Sequence, residues 1–336
     1  MLKVGFREGF IEDHARPAWH GDHARPISWR AWYPTDDEVD EQRRPTGTIA
    51  STFVADDSLA GARLSGARNQ FPAVLLSHGT GGSAAGLAWL GWRLAAQGFI
   101  AVGVNHHGNT AVQPYQPEGF LCWWERARDL SVLLDDLLVR GPFVGRLDLC
   151  RVFAAGFSLG GYTVLALLGA ITDMALFADW SRDERWGDGP REFPGLVKEV
   201  APLLKASAVF RASWERQSLS YRDDRIKAAL LCAPAPTVRG LRVESLRTIG
   251  EPVAIIVGGA DLEAPSDDCA KWLQNYLPNS TLSDLGSDVG HYVFLSECSD
   301  GGQQQEPEIC MDAPGVDRRA IHDETAALAL KTFAFA

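Results

Sequence analysis

Cysteine, methionine and basic residues are scarce in this chain, and long apolar runs are missing. Six cysteines and three methionines occur among 336 residues, too few cysteines for a disulfide framework, and no two of them have the spacing of a zinc site. The 32 basic residues against 43 acidic ones leave a net charge of −11, which disfavours nucleic acid and anionic membranes as partners. No stretch reaches the roughly 20 apolar residues of a membrane-spanning helix. The composition therefore suits a soluble enzyme without a metal centre.

The positions of the cysteines bear on the cellular compartment. Cys298 and Cys310 flank a polar loop, and a disulfide between them would indicate an oxidising compartment. Cys150, Cys232 and Cys269 fall in or beside predicted strands and helices, where we expect buried thiols. The N-terminal residues lack the apolar segment of a signal peptide. The expected location is the cytoplasm, and a periplasmic or secreted protein is the alternative if a signal peptide has been removed.

Residues 156–160 read Gly-Phe-Ser-Leu-Gly and are the most informative stretch of the chain. An apolar run at 152–155 precedes them, and a helical pattern at 162–168 follows. A strand, G-x-S-x-G and a helix together are typical of a nucleophile elbow, in which a sharp turn exposes the serine hydroxyl at the sheet edge. Glycines on both sides remove Cβ atoms that would collide as strand and helix approach each other. A glycine-rich turn with an ordinary serine is the alternative, but the context favours Ser158 as a nucleophile.

A serine nucleophile needs a base and an orienting acid, and after an elbow the acid comes first along the chain and the histidine second. His291 follows the strand-like residues 280–283. Asp261 comes soon after the buried strand predicted at 252–257, at the kind of strand end where catalytic groups collect in open α/β sheets. We therefore predict His291 as the base and Asp261 as the acid. The alternatives for the acid are Glu263, Asp267, Asp268 and Asp288.

Acyl transfer also requires preorganised N–H donors for the developing oxyanion. The strand predicted at 72–77 runs into a glycine-dense loop at 77–83, whose backbone can approach a substrate carbonyl closely. We predict that the backbone N–H groups of Thr80 and Leu159 are the donors. A phosphate-binding loop is the alternative, but the loop lacks G-x-G-x-x-G and a Gly-Lys-Ser/Thr ending. His78 precedes the elbow and is expected to brace the loop.

Core strands alternate with helical segments along most of the chain, which predicts a mostly parallel, doubly wound α/β sheet in a single domain. The predicted strands lie at 72–77, 98–104, 151–155, 227–232, 252–257 and 280–283, and the predicted helices at 84–97, 122–139, 159–170, 267–276 and 318–333. Residues 172–224 interrupt this alternation and carry several aromatic residues, Trp186 among them. We predict that they form a helical cap over the active site. An insertion packed on the side of the sheet is the alternative.

Several stretches resemble α/β-hydrolases of the branch that includes dienelactone hydrolase-like proteins and the platelet-activating-factor acetylhydrolases. The matching stretches are residues 27–34, 71–81, 104–109, 156–161 and 290–292. The resemblance implies one α/β-hydrolase domain over residues 1–336. Dienelactone hydrolases use a cysteine where this chain has Ser158, so lactone chemistry is not implied. The acetylhydrolases take their acid from one strand earlier, where residues 230–234 contain no carboxylate.

Three residues are candidates for the substrate pocket. His107 stands beside His106 after a predicted strand, and Trp123 and Trp124 open a predicted helix. Paired histidines can bind zinc, but adjacent side chains point apart and no further ligand is near. A structural or pocket-rim role is therefore favoured for the histidines. Packing of the helix against the sheet is the favoured alternative for the two tryptophans.

The combined pattern predicts a serine carboxylesterase that acts on a small-molecule ester. Ser158 would attack the carbonyl, His291 would take the proton, and Asp261 would orient the imidazole and stabilise its charged form. This chemistry needs no metal or organic cofactor. The alternatives are an acyltransferase or amidase with the same triad, and a non-catalytic relative that acts as a binding protein.

Overall fold

One mixed sheet organises the part of the chain that the computed structural model describes, namely residues 2–38, 52–183, 187–334 and 336. Its strands are β1 (Lys3–Pro17), β2 (Ala24–Thr35), β3 (Leu59–Ala60), β4 (Phe71–Ser77), β5 (Ile100–Asn105), β6 (Leu147–Phe157), β7 (Ile226–Cys232), β8 (Val253–Val257) and β9 (Ser280–Asp284). Their order across the sheet is β3-β1-β2-β5-β4-β6-β7-β8-β9. The pairs β1–β2 and β2–β5 are antiparallel, and every pair from β5 to β9 is parallel. The predicted mostly parallel sheet is confirmed.

Helices connect the strands and cover the sheet. They are α1 (Ala88–Ala96), α2 (Pro117–Leu121), α3 (Glu125–Val139), α4 (Leu159–Leu167), α5 (Met174–Trp180), α6 (Val200–Ala206), α7 (Ala208–Trp214), α8 (Val243–Leu246), α9 (Ala270–Gln274), α10 (Asp300–Gln305), α11 (Pro307–Cys310) and α12 (Arg318–Ala334). Across the described ranges, none of them has both the length and the apolar character needed to cross a membrane.

The sheet separates two hydrophobic cores because successive strand residues point to opposite faces. On β4, Leu75 belongs to the core that contains α3 and α4, whereas Val74 and Leu76 belong to the core that contains α1 and α12. The same alternation occurs on β6, where Ala154 and Phe153 lie in different cores. The central strands are therefore buried on both faces, which explains their continuous apolar sequences.

The predicted elements match the observed ones most closely in the central strands and less closely in the helices. The helix predicted at 122–139 begins later, as α3 at Glu125, and Trp123 lies between α3 and the preceding short helix α2. The helix predicted at 84–97 begins as a 3-10 helix (Ala84–Leu87) before α1. The prediction of a buried Cys150 is wrong, because β6 begins earlier than predicted and residue 150 lies in its exposed first half. Cys232 and Cys269 are buried free thiols.

The segment 172–224 contains α5, α6 and α7 and packs through aromatic residues on the chain around α2 and α3. Phe177 lies edge-on to Trp123, with ring centroids 4.7 Å apart, and Trp214 packs against Trp124 at 5.7 Å. Trp186, which the sequence analysis assigned to the cap, lies outside the described residues. The segment is thus anchored to the α2–α3 region by aromatic contacts.

A disulfide joins Cys298 to Cys310, with the two Cα atoms 5.5 Å apart. It closes the polar loop that contains α10 and α11. Glu306, between these helices, forms an ion pair with Arg191 of the segment 172–224. The loop after His291 is therefore closed by a disulfide and joined to the segment 172–224 by an ion pair.

Candidate active site

Ser158 lies at the turn between β6 and α4 in a strained backbone conformation, with φ 54° and ψ −117°. Positive φ is rare outside glycine, and such strained residues collect at functional sites. The Ser158 N–H donates to the Cys232 carbonyl at 2.9 Å, and the Ser158 carbonyl accepts from the N–H groups of Gly161 and Ala235 at 2.8 and 3.1 Å. Three backbone hydrogen bonds thus hold a conformation that the serine would not adopt by itself.

The glycines of the elbow are required by close backbone contacts. A Cβ atom at Gly156 would lie 2.1 Å from the Gly160 carbonyl oxygen, and a Cβ atom at Gly160 would lie 1.9 Å from the Ser77 carbonyl oxygen. Both distances are far below a van der Waals contact. The G-x-S-x-G pattern therefore lets α4 pack directly on its own strand and on the end of β4.

Asp261 and His291 are brought together from the loops that follow β8 and β9. His291 Nδ1 lies 2.7 Å from Asp261 Oδ2, and both residues are buried. The Ala264 N–H donates to the other carboxylate oxygen, Oδ1, at 2.7 Å. Because each oxygen has its own donor, the carboxylate is fixed in one orientation and accepts the Nδ1 proton, which leaves Nε2 as the acceptor nitrogen of the neutral ring. This is the tautomer that a general base for a serine requires.

The two loops dock through a glycine whose role the sequence analysis did not foresee. A Cβ atom at Gly258 would lie 2.1 Å from the Val289 carbonyl oxygen. The same carbonyl accepts a hydrogen bond from the Ala260 N–H at 2.9 Å. The pair of glycines directly after β8 was the signal for this contact in the sequence.

His291 also lies against the elbow. Its ring centroid is 4.8 Å from that of Phe157, the residue before Ser158. The other candidate acids have different contacts in the described part of the chain: Asp267 pairs with Lys271, and the Asp288 carboxylate accepts from Ser287. Asp261 is thus the predicted acid that contacts the His291 ring.

The glycine-dense loop passes directly over the nucleophile. A Cβ atom at Gly79 would lie 3.2 Å from Ser158 Cβ. Gly81 has φ +60°, its N–H donates to Asn109 Oδ1 at 2.8 Å, and its carbonyl accepts from the Tyr115 hydroxyl at 2.8 Å. Neither the Thr80 nor the Leu159 N–H donates to a protein acceptor in the described ranges. Both predicted donors are therefore available to a ligand.

His78 braces this loop, as its position in the sequence suggested. The His106 N–H donates to His78 Nε2 at 3.2 Å, so Nδ1 carries the proton and donates to the Gly79 carbonyl at 2.6 Å. Burial, together with the charge of Arg126, lowers the pKa of His78 well below its ordinary value of 6.5. The ring is neutral and acts as a fixed bridge across the loop.

A second Ser–His–Asp chain lies beneath the loop and is fully buried. Ser77 Oγ is 3.0 Å from His106 Nε2, and His106 Nδ1 is 2.9 Å from Asp129 Oδ2. Burial, followed by the charge of Arg126, lowers the pKa of His106 to about 4. Because Ser77 has no exposed surface, this chain cannot meet a substrate and serves to position the loop.

Two arginines complete this buried network. Arg126 donates to the His78 carbonyl and to Ser77 Oγ, the latter at 3.3 Å. Arg16 donates to Asp129 Oδ1 at 2.6 Å. Although burial opposes it, the charge of Arg16 and the hydrogen bond from His106 hold the pKa of Asp129 well below its usual range. The sequence analysis missed this network because its members are separated by up to 113 residues.

The three candidate pocket residues all have structural contacts. The Trp19 backbone N–H approaches His107 Nε2 at 3.4 Å, and the Trp19 indole donates to the His107 carbonyl at 3.0 Å. The Trp123 indole donates to the Phe120 carbonyl at 2.5 Å, and the Trp124 indole donates to the Ser213 carbonyl at 3.0 Å. These contacts favour the packing alternative, and a role in the substrate pocket stays a prediction.

The described residues contain no group of three or more histidine, cysteine, aspartate or glutamate side chains arranged to hold a metal ion. The Cys232 thiol lies on the strand end beside Ser158. It is a poor nucleophile because burial raises its pKa above the ordinary value of 9.0. The nucleophilic side chain that the loops surround is therefore Ser158.

Several known proteins are similar to this chain. Residues 21–120 match the family model described as platelet-activating factor acetylhydrolase, isoform II. The chain is 30% identical to cutinase est2 of Thermobifida alba over 125 residues, which is 36% of this chain and 38% of that protein. It is 29% identical to cutinase cut1 of Thermobifida fusca over 203 residues, or 56% of this chain and 60% of that protein.

A third relative is the bis(hydroxyethyl) terephthalate hydrolase of Streptomyces coelicolor, 29% identical over 165 residues, which is 46% of this chain and 49% of that protein. The chain thus spans less than two thirds of the length of these relatives. Among solved structures, the ferulic acid esterase from Streptomyces cinnamoneus superimposes with a TM-score of 0.63 at 16% identity, covering 99% of this chain and 89% of that one.

The structural match covers nearly the whole chain and shows the fold. The family-model match includes the strand β2, the glycine-dense loop at 77–83 and the strand β5. The chain has the α/β-hydrolase fold, and residues 21–120 are similar to the platelet-activating-factor acetylhydrolases.

Proposed function

We propose that this protein is a serine hydrolase that cleaves carboxylic esters through an acyl-enzyme intermediate. The observation that carries the proposal is the strained Ser158: the loop of Thr80 passes over it, and His291, held by Asp261, packs on the adjacent Phe157. The N–H groups of Thr80 and Leu159 beside it donate to no acceptor in the described residues. The strain in such a residue costs on the order of 1–3 kcal/mol. A fold that maintains it beside a fixed histidine is best explained by nucleophilic catalysis.

In the proposed mechanism, His291 Nε2 accepts the hydroxyl proton while Ser158 Oγ attacks the ester carbonyl. The carbonyl oxygen becomes an oxyanion, and the N–H groups of Thr80 and Leu159 stabilise it. His291 then protonates the departing alcohol, which leaves an acyl group on Ser158. Water attacks this acyl group with His291 again as the base, and the acid and free serine are released.

The named relatives support an ester substrate. Their names describe cutinases, a bis(hydroxyethyl) terephthalate hydrolase and a ferulic acid esterase. We extend to this chain only the bond type that these names share, the carboxylic ester. A small-molecule ester is therefore the proposed substrate.

The location and the cap belong to the same proposal. The Cys298–Cys310 disulfide supports an oxidising compartment over the cytoplasm that the N-terminal residues suggested. Glu192 of the segment 172–224 contacts Gly81 of the glycine-dense loop at 77–83 (the oxyanion loop). This contact supports a cap over the active site rather than packing on the side of the sheet.

The proposal is tested with p-nitrophenyl esters of two to sixteen carbons, together with bis(hydroxyethyl) terephthalate and a ferulate ester. A matched p-nitroanilide measures amidase activity, and added alcohols measure acyl transfer through the ester products. We expect release of the free acid from esters at rates well above those of the anilide. An amide rate equal to the ester rate, or transfer that exceeds hydrolysis in water, would replace esterase with one of the alternatives. Binding without turnover would indicate a non-catalytic relative.

A further inference from the structure

A glutamate from the segment 172–224 reaches the active site and is not used by the proposed mechanism. A Cβ atom at Gly81 would lie 2.7 Å from Glu192 Cγ and 3.1 Å from Glu192 Cβ. The side chain of Glu192 therefore packs directly on the oxyanion loop, next to Thr80. Tyr115, whose hydroxyl would lie 2.8 Å from the same Cβ position, flanks it.

The Glu192 carboxyl group interacts electrostatically with groups from two other loops of the site. The residues that interact with it electrostatically are Arg191, Glu263 and His291, together with the phenol groups of Tyr115 and Tyr292. Glu263 belongs to the loop of Asp261, and Tyr292 follows His291. The side chain thus packs on the loop of Thr80 and interacts electrostatically with the loops of Asp261 and His291.

Among the described residues, no lysine or arginine forms an ion pair with this carboxylate. The guanidinium of Arg191, the preceding residue, pairs with Glu306 and also lies 3.5 Å from Glu308. Burial, reinforced by the charge of Glu263, raises the pKa of Glu192 above its ordinary value of 4.5. A charged substrate group near this position therefore interacts with a Glu192 carboxylate whose negative charge is only partly neutralised.

We propose that Glu192 is a specificity-determining residue that selects against esters with an anionic group near the scissile bond and favours neutral or cationic ones. This inference rests on the proposed ester hydrolysis and narrows its substrate class. The negative charge acts on the substrate from the side of the oxyanion loop. Two unit charges about 10 to 17 Å apart at an effective dielectric constant of about 20 change an equilibrium about 5- to 20-fold.

The test uses three p-nitrophenyl esters of equal acyl length that end in a methyl, a sulfonate or a trimethylammonium group. Their charges do not change with pH, so the enzyme alone supplies any titration. kcat/KM is measured for the wild type, for Glu192→Gln and for the control Glu215→Gln, an exposed glutamate of the same segment. Glu192→Gln is expected to raise the sulfonate-to-methyl ratio about 5- to 20-fold and to lower the trimethylammonium-to-methyl ratio by a similar factor. Glu215→Gln is expected to leave both ratios unchanged.

Equal changes for all three esters, or no change, would overturn the inference. A second measurement does not depend on the variant's folding: in the wild type, the sulfonate-to-methyl ratio should rise as the pH falls toward the pKa of Glu192, which burial raises above its ordinary value of 4.5. Effects of pH on the shared chemical step cancel in this ratio because both substrates use the same catalytic groups. A flat ratio would also overturn the inference. Cleavage of the methyl ester by the wild type, absent in Ser158→Ala, tests the proposed function separately.

Discussion

His291 and Asp261 belong to loops after different strands, 30 residues apart, yet His291 Nδ1 lies 2.7 Å from Asp261 Oδ2. The Asp261 side chain has no exposed surface. A carboxylate enclosed in this way can fix the imidazole and stabilise its protonated form without reaching the substrate itself. The contact thus separates the acid from the acyl chemistry at Ser158.

This contact predicts the effect of Asp261→Asn. An amide in place of the carboxylate favours the wrong imidazole tautomer, so kcat should fall roughly 10³- to 10⁴-fold near neutral pH. The measurement is kcat for a p-nitrophenyl ester, with Glu263→Gln and Asp288→Asn as controls that should lose far less. If Asp288→Asn were the damaging change, the assignment of Asp261 as the acid would be wrong. The proposal of a serine hydrolase with Ser158 and His291 would still stand.

The buried network under the oxyanion loop predicts a coupled loss of stability and rate in Asp129→Asn. The change removes the carboxylate that pairs with Arg16 and offsets the charge of the buried Arg126, which should cost about 3–5 kcal/mol of the free energy of unfolding. It should also lower kcat, because the Ser77–His106 chain no longer holds the loop. Urea unfolding and kcat, measured where the variant is folded, test this. Asp135→Asn, on the exposed side of the same helix, is the control. A rate equal to wild type would exclude the positioning role.

Buried histidines predict the dependence of stability on pH. Burial lowers the pKa of His106 and His107 to about 4 and that of His322 to about 3, from an ordinary 6.5. The unfolded chain therefore binds more protons than the folded one between these values, and stability falls as the pH falls from about 6.5 to about 4. Each histidine contributes up to about 1.4 kcal/mol per pH unit.

The check is urea unfolding at several pH values, with His322→Gln as the variant. His322 Nε2 donates to the Val293 carbonyl at 2.8 Å, a hydrogen bond that a glutamine amide can replace. In this variant the slope of the free energy of unfolding against pH should decrease by the contribution of one bound proton, up to about 1.4 kcal/mol per pH unit. A wild-type stability that is constant over this range would show that these histidines are not buried as neutral rings.

The disulfide predicts that activity is lost before the fold. The bridge spans 12 residues, and closing a loop of this size stabilises by about 3 kcal/mol in the chain-entropy estimate, which is model-dependent. Its loss should loosen Glu306 and hence the ion pair with Arg191. Replacing both Cys298 and Cys310 with serine should lower activity at temperatures where circular dichroism still reports a folded sheet. Simultaneous loss of activity and structure would contradict this order, and peptide mapping that finds two free thiols would remove the premise.

The sequence predicted the parts of the site that depend on local patterns. The elbow follows from glycines two residues on either side of Ser158, and the strand ends that carry Asp261 and His291 follow from short apolar runs. The Cys298–Cys310 bridge was weighed as a possibility and is present. In each case the residues that carry the sequence pattern are close in the chain to the feature that they predict.

What the sequence could not predict depends on contacts between distant segments. Glu192 reaches Gly81 only because the segment 172–224 folds back over the loop, and no local periodicity encodes this path. The buried arginine network joins positions more than 100 residues apart. Cys150 was expected to be buried because it stands beside the strand predicted at 151–155, but β6 begins at Leu147 and its first half is exposed.

The measurement that tests the central claim most directly is kcat/KM of Ser158→Ala on the best ester substrate, compared with wild type. The alanine removes the nucleophile and retains the backbone contacts of the elbow, so the variant should fold with an unchanged circular dichroism spectrum. The account predicts a loss of at least about a thousandfold, leaving only the catalysis due to the oxyanion hole and binding. A variant that retains more than about a tenth of the wild-type rate would contradict the assignment of Ser158 as the nucleophile.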